Sequence, residues 1–300
     1  MLKIAWSPIY AHPLPKYHRF PMIKYDLLPE QLLYEGTISD ENLFEPTILD
    51  EKNILNTHCA AYWQKLKSLQ LSKSEIRRTG FPLSKQLVER EQIIMNGTLQ
   101  AAKYALKYGV SFNIAGGTHH AFTNKGEGFC LLNDIAISAN FLLDVDLAQQ
   151  ILVVDLDVHQ GNGTAEIFEN NSKVFTFSMH GAKNYPLKKE ASDLDIGLPD
   201  GATDEVYLPI LERELKKLID KLEPDFIFFQ SGVDVLKTDK LGRLSMSIAG
   251  CKQRDEMVLS AAYENEIPIA LCMGGGYSPR IADIVEAHAN TYRLAQSIFF

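Results

Sequence analysis

Histidine and aspartate side chains are concentrated directly after three apolar runs of this 300-residue chain. The runs span residues 112–115, 151–154 and 226–229, and the side chains that follow them are His119 and His120, then Asp155, Asp157 and His159, and finally Asp234. Unbroken apolar runs of this length are typical of strands buried on both faces of a parallel sheet. Because ligands bind at the carboxyl ends of such strands, these side chains are expected to converge on one crevice. Imidazoles and carboxylates gathered there predict a metal site with a base beside it.

Asp157, His159 and Asp234 are the predicted metal ligands. Asp157 and His159 are two residues apart, so on an extended backbone their side chains leave from the same face. Catalytic zinc sites use three protein ligands and keep a position open for water or substrate. Mixed oxygen and nitrogen ligands also suit Fe²⁺, Mn²⁺ or Co²⁺, so zinc is favoured without being fixed. The alternative, two helix-capping aspartates and a core histidine, is weaker because buried carboxylates are costly without a cation.

His119 and His120 are predicted to act beside the metal. The two glycines before them permit a turn and a close approach of the main chain. Imidazoles near a metal need partners that fix their tautomers, and Asp155 and Asn162, which flank the predicted ligands, are the candidates. Different partners can give the two rings different pKa values, one suited to proton transfer and the other to electrostatic stabilisation.

Tyr277 follows three glycines, residues 274–276, that come after the apolar run 267–272. Glycines let the main chain pass close to a ligand, and a phenol beside a metal can donate a hydrogen bond to a developing oxyanion. A glycine-rich helix entry with a packed tyrosine is the alternative. A phosphate-binding loop is disfavoured, because no Lys-Ser/Thr pair follows the glycines. Phe129, in the turn 126–134, is predicted either as a wall of the site or as ordinary core.

An alternation of strands and helices positions these residues. The predicted strands lie near residues 2–6, 111–115, 151–156, 174–178, 225–229 and 267–272, and the predicted helices near 132–144, 205–222, 250–265 and 280–297. Residues 22–110 are predicted to be largely helical, most clearly over 83–108, and to wrap around the same core. The alternation predicts one α/β catalytic domain over residues 1–300, with an open, mostly parallel β-sheet, helices on both faces and the active site at the C-terminal ends of the strands.

The composition, with 46% hydrophobic and 23% charged residues, is that of a globular protein. A net charge of −8 argues against a nucleic-acid partner, which would normally meet a basic surface. No apolar run reaches the ~18 residues of a membrane span, and the N-terminal residues do not form the apolar core of a signal peptide. The four cysteines are far apart in the sequence, which favours reduced thiols and a cytoplasmic location.

Several ordered motifs resemble those of the zinc-dependent histone deacetylase family, whose members have the arginase–deacetylase fold. The motifs are Gly-Gly-Thr-His-His-Ala at 116–121, Gly-Phe-Cys-Leu-Leu-Asn-Asp at 128–134, Asp-Leu-Asp-Val-His-Gln-Gly-Asn-Gly-Thr at 155–164, Gly-Val-Asp at 232–234 and Gly-Gly-Gly-Tyr at 274–277. The match spans roughly residues 112–290. Segments 79–83, 159–162 and 241–247 are most similar to the class IV branch and its bacterial relatives.

The resemblance implies a role for each candidate residue. The zinc ligands correspond to Asp157, His159 and Asp234. The general base that activates the attacking water, and then protonates the leaving amine, corresponds to His120. Its electrostatic partner corresponds to His119, with Asp155 behind it, and the residue that polarises the acyl carbonyl corresponds to Tyr277. The walls of an acyl-lysine tunnel correspond to Gly128, Phe129, Tyr185, Leu241 and Gly275. A structural K⁺ site would use the side chains of Asp155, Asp157 and Ser178 and the carbonyls of His159 and Met179.

Two departures from the family pattern concern the base and the rim. Gln160 and Asn162 stand where many members have a histidine and a carboxylate, so a neutral amide would hold His120. No residue matches the rim aspartate that grips the substrate backbone in some members. His12, His18 and Arg19 lie in a loop within reach of the site, although most exposed histidines have no role.

The resemblance implies a zinc-dependent amidohydrolase that removes an acyl group from a lysine ε-nitrogen, in a protein or peptide or in a small acylated amine. Three alternatives remain open. They are an acetylpolyamine or other small-amide hydrolase, an arginase-like ureohydrolase with a second metal, and a non-enzymatic acyl-lysine binder, against which the complete set of site residues argues. The sequence does not decide between a monomer and a homo-oligomer.

Overall fold

A single sheet of eight parallel strands organises the chain, for which the computed structural model describes residues 1–300. The strands are β1 (Lys3–Ala5), β2 (Leu43–Phe44), β3 (Val110–Asn113), β4 (Ile151–Asp155), β5 (Val174–Gly181), β6 (Leu194–Leu198), β7 (Phe226–Gln230) and β8 (Ile269–Cys272). Their order across the sheet is β2-β1-β3-β8-β7-β4-β5-β6. Every pairing between neighbours is parallel. The predicted α/β fold is therefore confirmed, and the sheet is wholly rather than mostly parallel.

Ten α-helices surround the sheet. They are α1 (Lys24–Tyr34), α2 (Glu51–Leu55), α3 (Ala60–Lys67), α4 (Lys73–Thr79), α5 (Lys85–Tyr108), α6 (Asp134–Asp144), α7 (Asn162–Phe168), α8 (Asp204–Leu222), α9 (Ile248–Glu264) and α10 (Ile281–Phe299). The clearest predicted helix, over 83–108, corresponds to α5. The hydroxyl of Ser84 caps its start by accepting from the Leu87 N–H at 3.1 Å, and Gly109, at φ 85°, ends it. None of these helices combines the length and apolarity of a segment that crosses a bilayer.

The strand side chains alternate between two apolar layers. Val153 and Phe228 pack on one side with residues of α5, α6 and α7, whereas Val154 and Phe229 pack on the other with residues of α8, α9 and α10. All four side chains are almost fully buried. Strands covered on both faces need apolar residues at every position, which explains the unbroken runs in the sequence.

Two strands and one helix were not predicted. Strands β2 and β6 are the two edges of the sheet. β2 has only two residues and interrupts the segment 22–110 that was predicted to be helical, while β6 has an exposed second and fourth residue. Helix α7 begins inside the motif at 155–164, between two glycines. In each case the local pattern lacks the apolar periodicity that identifies a longer, buried element.

Candidate metal centre and active site

Four neighbouring strands carry the candidate residues at their C-terminal ends. The strands β3, β8, β7 and β4 are consecutive in the sheet. The loops that follow them carry the tandem histidines, the segment 274–277, Asp234, and the pair Asp157 and His159. Because all four strands are parallel, these loops leave the sheet at the same end of the strands and converge there.

Asp157, His159 and Asp234 form one buried cluster, with a potential ligand atom of each within 4.8 Å of the others. Nδ1 of His159 lies 3.0 Å from Oδ1 of Asp157 and 3.1 Å from Oδ2 of Asp234. The second oxygen of Asp157 accepts the Gly275 N–H at 2.9 Å, and Oδ1 of Asp234 accepts the Val158 N–H at 2.9 Å. These backbone donors hold both carboxylates towards the imidazole.

The cluster has a strong electrostatic preference for a positive charge at its centre. Burial opposes protonation of His159, but its contacts with Asp157 and Asp234 outweigh burial and raise its pKa to about 10. Burial and the charge of Asp157 raise the pKa of Asp234 to about 7. Two buried carboxylates and one imidazole are a donor set that a divalent cation satisfies, so these three residues fit a metal ion.

His119 and His120 have different partners, and their rings lie close together, with centroids 4.1 Å apart. Nδ1 of His119 lies 2.7 Å from Oδ2 of Asp155, and Nδ1 of His120 lies 2.6 Å from Oδ1 of Asn162. Burial opposes protonation of His119, but Asp155 and Asp157 raise its pKa to about 9. Burial, together with His119 and His159, lowers the pKa of His120 well below its usual value.

The amide of Asn162 fixes the tautomer of His120. An amide oxygen only accepts hydrogen bonds, so Nδ1 of His120 carries the proton and Nε2 keeps its lone pair. The other end of the amide donates from Nδ2 to Oε1 of Glu127 at 2.8 Å, which sets the orientation of the Asn162 side chain. His120 is therefore arranged to accept a proton at Nε2.

The turn that carries His119 and His120 is shaped by the two glycines before it and by helix α7. Gly116 and Gly117 have φ angles of 82° and 74°, a region that favours glycine. A Cβ at Gly117 would lie 1.9 Å from Oε1 of Gln230. The carbonyl of His119 accepts the N–H groups of Gly163 and Thr164, in the first turn of α7, at 2.9 and 3.1 Å.

Tyr277 borders the same pocket as His120 and His159. Its ring centroid is 6.5 Å from that of His159 and 6.0 Å from that of Phe129. Burial raises the pKa of the Tyr277 hydroxyl well above its usual value, so the phenol stays protonated and can donate. Asp239 orders this loop, because its carboxylate accepts the N–H groups of Tyr277, Leu241 and Gly242 at 2.6 to 2.9 Å.

The predicted tunnel residues line a pocket of about 220 Å³ above the cluster. The lining consists of Arg19, Arg78, His120, Gly128, Phe129, His159, Tyr185, Leu241 and Tyr277. Gly275, predicted for the same tunnel, lies deeper, where its N–H contacts Asp157 and it lines a smaller inner pocket. Its lack of a side chain matters there, since a Cβ would lie 2.1 Å from Oδ2 of Asp234.

Two of the residues predicted to hold K⁺, Asp157 and His159, belong to the candidate metal cluster, and the other three lie in β4 and β5. Asp155, at the end of β4, is paired in register with Ser178 of β5, and Oδ1 of Asp155 accepts the Asp157 N–H at 3.2 Å. Ser178 and Met179 are both buried. The hydroxyl of Ser178 is 2.9 Å from Nδ1 of His180. The K⁺ site stays a prediction.

Lys24 and Glu127 are site residues that the sequence did not indicate. Lys24 is fully buried, donates from Nζ to the Gly274 carbonyl at 2.8 Å, and lies 5.8 Å from the centroid of the Tyr277 ring. Burial lowers its pKa to about 8. Nothing in its helical segment signals this contact, because its partner is 250 residues away. Glu127 lies inside the predicted turn 126–134, but its hydrogen bond to Asn162 has no signature in the sequence.

Comparisons with known proteins identify the family and the fold of the chain. A histone deacetylase domain profile matches residues 18–292. An uncharacterised protein of Picosynechococcus sp. is 42% identical over 99% of both chains. Histone deacetylase 2 of Arabidopsis thaliana is 28% identical over 91% of this chain and 73% of that protein, and human histone deacetylase 1 is 28% identical over 90% and 58%. The crystal structure of a histone deacetylase homologue from Aquifex aeolicus, 24% identical, covers 98% of this chain and 84% of its own with a TM-score of 0.84, which establishes the shared fold.

Proposed function

The chain belongs to the histone deacetylase family, a group of amide-bond hydrolases, and we propose that residues 1–300 act as one catalytic unit that hydrolyses Nε-acyl-lysine. The observation that carries this proposal is that His120 and Tyr277 line one pocket together with His159 of the buried Asp157–His159–Asp234 cluster, with ring centroids 5.9 and 6.5 Å from that of His159. The segments 79–83, 159–162 and 241–247 support a place in the class IV branch. An acylated protein or peptide in the cytoplasm is the proposed substrate.

Zn²⁺ is the proposed ion for Asp157, His159 and Asp234, and a K⁺ ion is proposed beneath it. A divalent cation in the cluster supplies Lewis acidity, which polarises an acyl carbonyl and makes water a better nucleophile near neutral pH. Fe²⁺, Mn²⁺ and Co²⁺ suit the same donor set. An arginase-like two-metal site is less well supported, because the neighbouring carboxylate of Asp155 is engaged by His119.

The protein's own side chains move the protons. His120 takes a proton from the attacking water at Nε2, because Nδ1 is committed to Asn162. Tyr277 donates its hydroxyl proton in a hydrogen bond to the developing oxyanion. His120 then returns the proton to the departing ε-amine. His119, whose pKa Asp155 and Asp157 raise to about 9, stays protonated beside the reaction and stabilises negative charge.

The apolar walls of the pocket suit a lysine side chain. Phe129, Tyr185 and Leu241 line the passage above His120 and His159. The ring of Tyr185 meets that of His120 edge to face, with centroids 5.0 Å apart. A chain of methylene groups passing between these side chains loses its contact with water, which favours binding.

The test is turnover of acetyl-lysine peptide by the zinc-loaded enzyme and by variants of the two proton-handling residues. Tyr277→Phe and His120→Ala are expected to fold normally and to lose at least about 100-fold in kcat, since each removes a transition-state interaction. Tyr34→Phe is the matched control, because Tyr34 is 95% exposed and does not line the pocket. Turnover of the peptide by both variants at the wild-type rate would overturn the assigned roles. Turnover of acetylspermine in preference to the peptide would favour the small-amide alternative.

A further inference from the structure

We propose that Arg19 and Arg78 form an anion-binding rim at the mouth of the pocket, which selects acyl-lysine substrates that carry a carboxylate beside the acyl-lysine. This inference rests on the proposed deacylase function. It adds the chemistry that the enzyme recognises around the reacting amide.

Both arginines belong to the pocket that contains His120 and His159. The guanidinium carbon of Arg19 lies 5.0 Å from the centroid of the Phe129 ring. Arg78 is attached to the same lip through the main chain, since its carbonyl accepts the Gly128 N–H at 3.0 Å and the carbonyl of Thr79 accepts the Phe129 N–H at 2.8 Å. Both arginines are therefore anchored next to the aromatic wall that Phe129 forms.

The backbone on both sides of Arg19 is held in place. Nε2 of His18 lies 2.8 Å from the Gly80 carbonyl, and its ring stacks on Phe81 with centroids 5.7 Å apart. The ring of Phe20 meets that of Phe129 edge to face at 5.2 Å. Arg19 thus extends from a fixed point of the loop, which limits the entropy lost when it binds a ligand.

Neither guanidinium has a carboxylate partner within the protein. Six of the nine arginines form ion pairs, namely Arg90, Arg213, Arg243, Arg254, Arg280 and Arg293. The three that do not are Arg19, Arg77 and Arg78. In a chain of net charge −8, two unpaired cations beside one pocket are a local reversal of sign.

The carboxylate behind the lip does not neutralise this rim. Glu127 is buried, with Oε1 accepting from Nδ2 of Asn162 and Oε2 lying 3.6 Å from Nζ of Lys125. None of the nine residues that line the pocket is acidic. The mouth of the pocket therefore presents a net positive charge to a substrate.

A carboxylate is the group that matches this rim, because guanidinium groups bind carboxylates with two parallel hydrogen bonds. When an acyl-lysine side chain fills the pocket, its α-carbon reaches the mouth. The carboxylate next to it belongs either to an acidic neighbour in a peptide or to the free α-carboxyl group of a small acylated amino acid. A polyamine would instead bring like charge to the arginines, which is unfavourable.

The experiment compares kcat/KM for matched substrates. One set comprises end-capped acetyl-lysine peptides whose flanking residues are Glu, Gln or Lys, and a second set comprises Nε-acetyl-lysine and its α-amide. The enzymes are the wild type, the double variants Arg19→Gln/Arg78→Gln and Arg19→Lys/Arg78→Lys, and the matched control Arg77→Gln. Arg77 is an exposed neighbour in α4 that does not line the pocket.

The wild type is expected to prefer the Glu-flanked over the Lys-flanked peptide by about tenfold at low salt, which corresponds to two exposed charge pairs. The ratio should fall towards one in the double Gln variant and at high ionic strength, persist at a smaller value in the double Lys variant, which keeps the charge but not the bidentate geometry, and stay unchanged in Arg77→Gln. The substrate set with the larger arginine-dependent ratio identifies the source of the carboxylate. A ratio equal in the wild type and the double Gln variant overturns the rim, whereas no turnover of any substrate contradicts the deacylase function itself.

Discussion

At the scale of single residues, the protonation of each imidazole determines its role in the candidate site. His119 faces a carboxylate and is held protonated, whereas His120 faces an amide oxygen and is held neutral. The two neighbouring rings therefore divide electrostatic stabilisation and proton transfer between them. Glu127 contributes to this division at a distance, because it determines which end of the Asn162 amide faces His120.

Replacement of Glu127 by alanine is expected to lower kcat by about 10- to 100-fold, the usual cost of losing a residue that orients a catalytic one. Without Glu127, the Asn162 amide can rotate and present its NH₂ group to Nδ1 of His120. The proton of the ring then moves to Nε2, and the base loses its lone pair. Steady-state kinetics on an acetyl-lysine peptide should show the loss in kcat, with a smaller change in KM.

Lys125→Gln is the control for this variant. It removes the cation 3.6 Å from Glu127 without touching the Asn162 amide, so its kinetics should stay close to those of the wild type. Glu127→Gln keeps an oxygen acceptor for Asn162 and should recover part of the activity. Wild-type kcat in Glu127→Ala would show that the amide keeps its orientation unaided.

The sequence indicated some of these residues and not others, for a physical reason. Asn162 lies within a few residues of the predicted ligands, so its proximity to His120 followed from the motif. Lys24 and Arg78 come from helices of the N-terminal third and reach the site through contacts with Gly274 and Gly128. Such contacts depend on how distant segments pack, which has no periodic or local signature.

At the scale of elements, polar contacts of His58 join the N-terminal helices to the loop after β3 and to the start of α6. His58, between α2 and α3, is fully buried; its Nδ1 lies 2.9 Å from the Phe122 carbonyl, and its Nε2 accepts the Asn133 N–H at 3.0 Å. Asn133 is the N-cap of α6, whose side chain accepts the Ala136 N–H at 3.0 Å. One neutral imidazole thus joins the N-terminal wrap to the start of a helix that follows the tandem histidines.

Stability is expected to decrease with acidification between about pH 6.5 and pH 4 because of His58. Burial lowers its pKa in the folded protein to about 4, from an unfolded value near 6.5. In this window the unfolded chain binds a proton that the folded protein does not, so the free energy of unfolding falls as the pH falls. Because of His58, the free energy of unfolding is about 3 kcal/mol higher above this window than below it, since each unit of pKa difference corresponds to about 1.4 kcal/mol.

Urea unfolding followed by intrinsic tryptophan fluorescence, to which buried Trp63 of α3 contributes, measures this effect. His58→Gln should be less stable than the wild type at pH 7, and the difference should narrow by pH 5 because the variant has no proton to gain at this position. A difference that stays constant from pH 7 to pH 5 would assign the pH dependence to other groups.

The same elements show which parts of the fold the sequence specifies. Strands β4 and β7 are central and read as unbroken apolar runs, so both were predicted within about a residue. The edge strands β2 and β6 have one partner each and partly exposed side chains, and they left no comparable pattern. A buried strand needs apolar residues at successive positions, which makes it visible in the sequence. An edge strand lacks this requirement and depends on pairing with its one neighbour.

At the scale of the whole molecule, the candidate site is built from residues that follow strands in both halves of the sheet. Its three predicted ligands follow the adjacent strands β4 and β7, and the Gly275 N–H that holds Asp157 follows β8. An ion shared by Asp157, His159 and Asp234 would therefore bind only when these strands are in place. Because such a ligand has little affinity for the unfolded chain, it stabilises the fold as a whole.

Removal of divalent metal with a chelator is expected to lower the Tm of the wild type by roughly 5 °C, since saturation at about 100 times Kd contributes about 2.7 kcal/mol. Asp234→Asn should abolish this shift by removing one ligand charge. With metal bound, the wild type should have the higher Tm of the two proteins. In chelator, Asp234→Asn should be at least as stable as the wild type, because burial and the charge of Asp157 disfavour ionisation of Asp234 and raise its pKa to about 7. Calorimetry of both proteins and of the exposed control Asp220→Asn, with and without Zn²⁺, tests this crossover; equal metal-dependent shifts in all three would place the ion elsewhere.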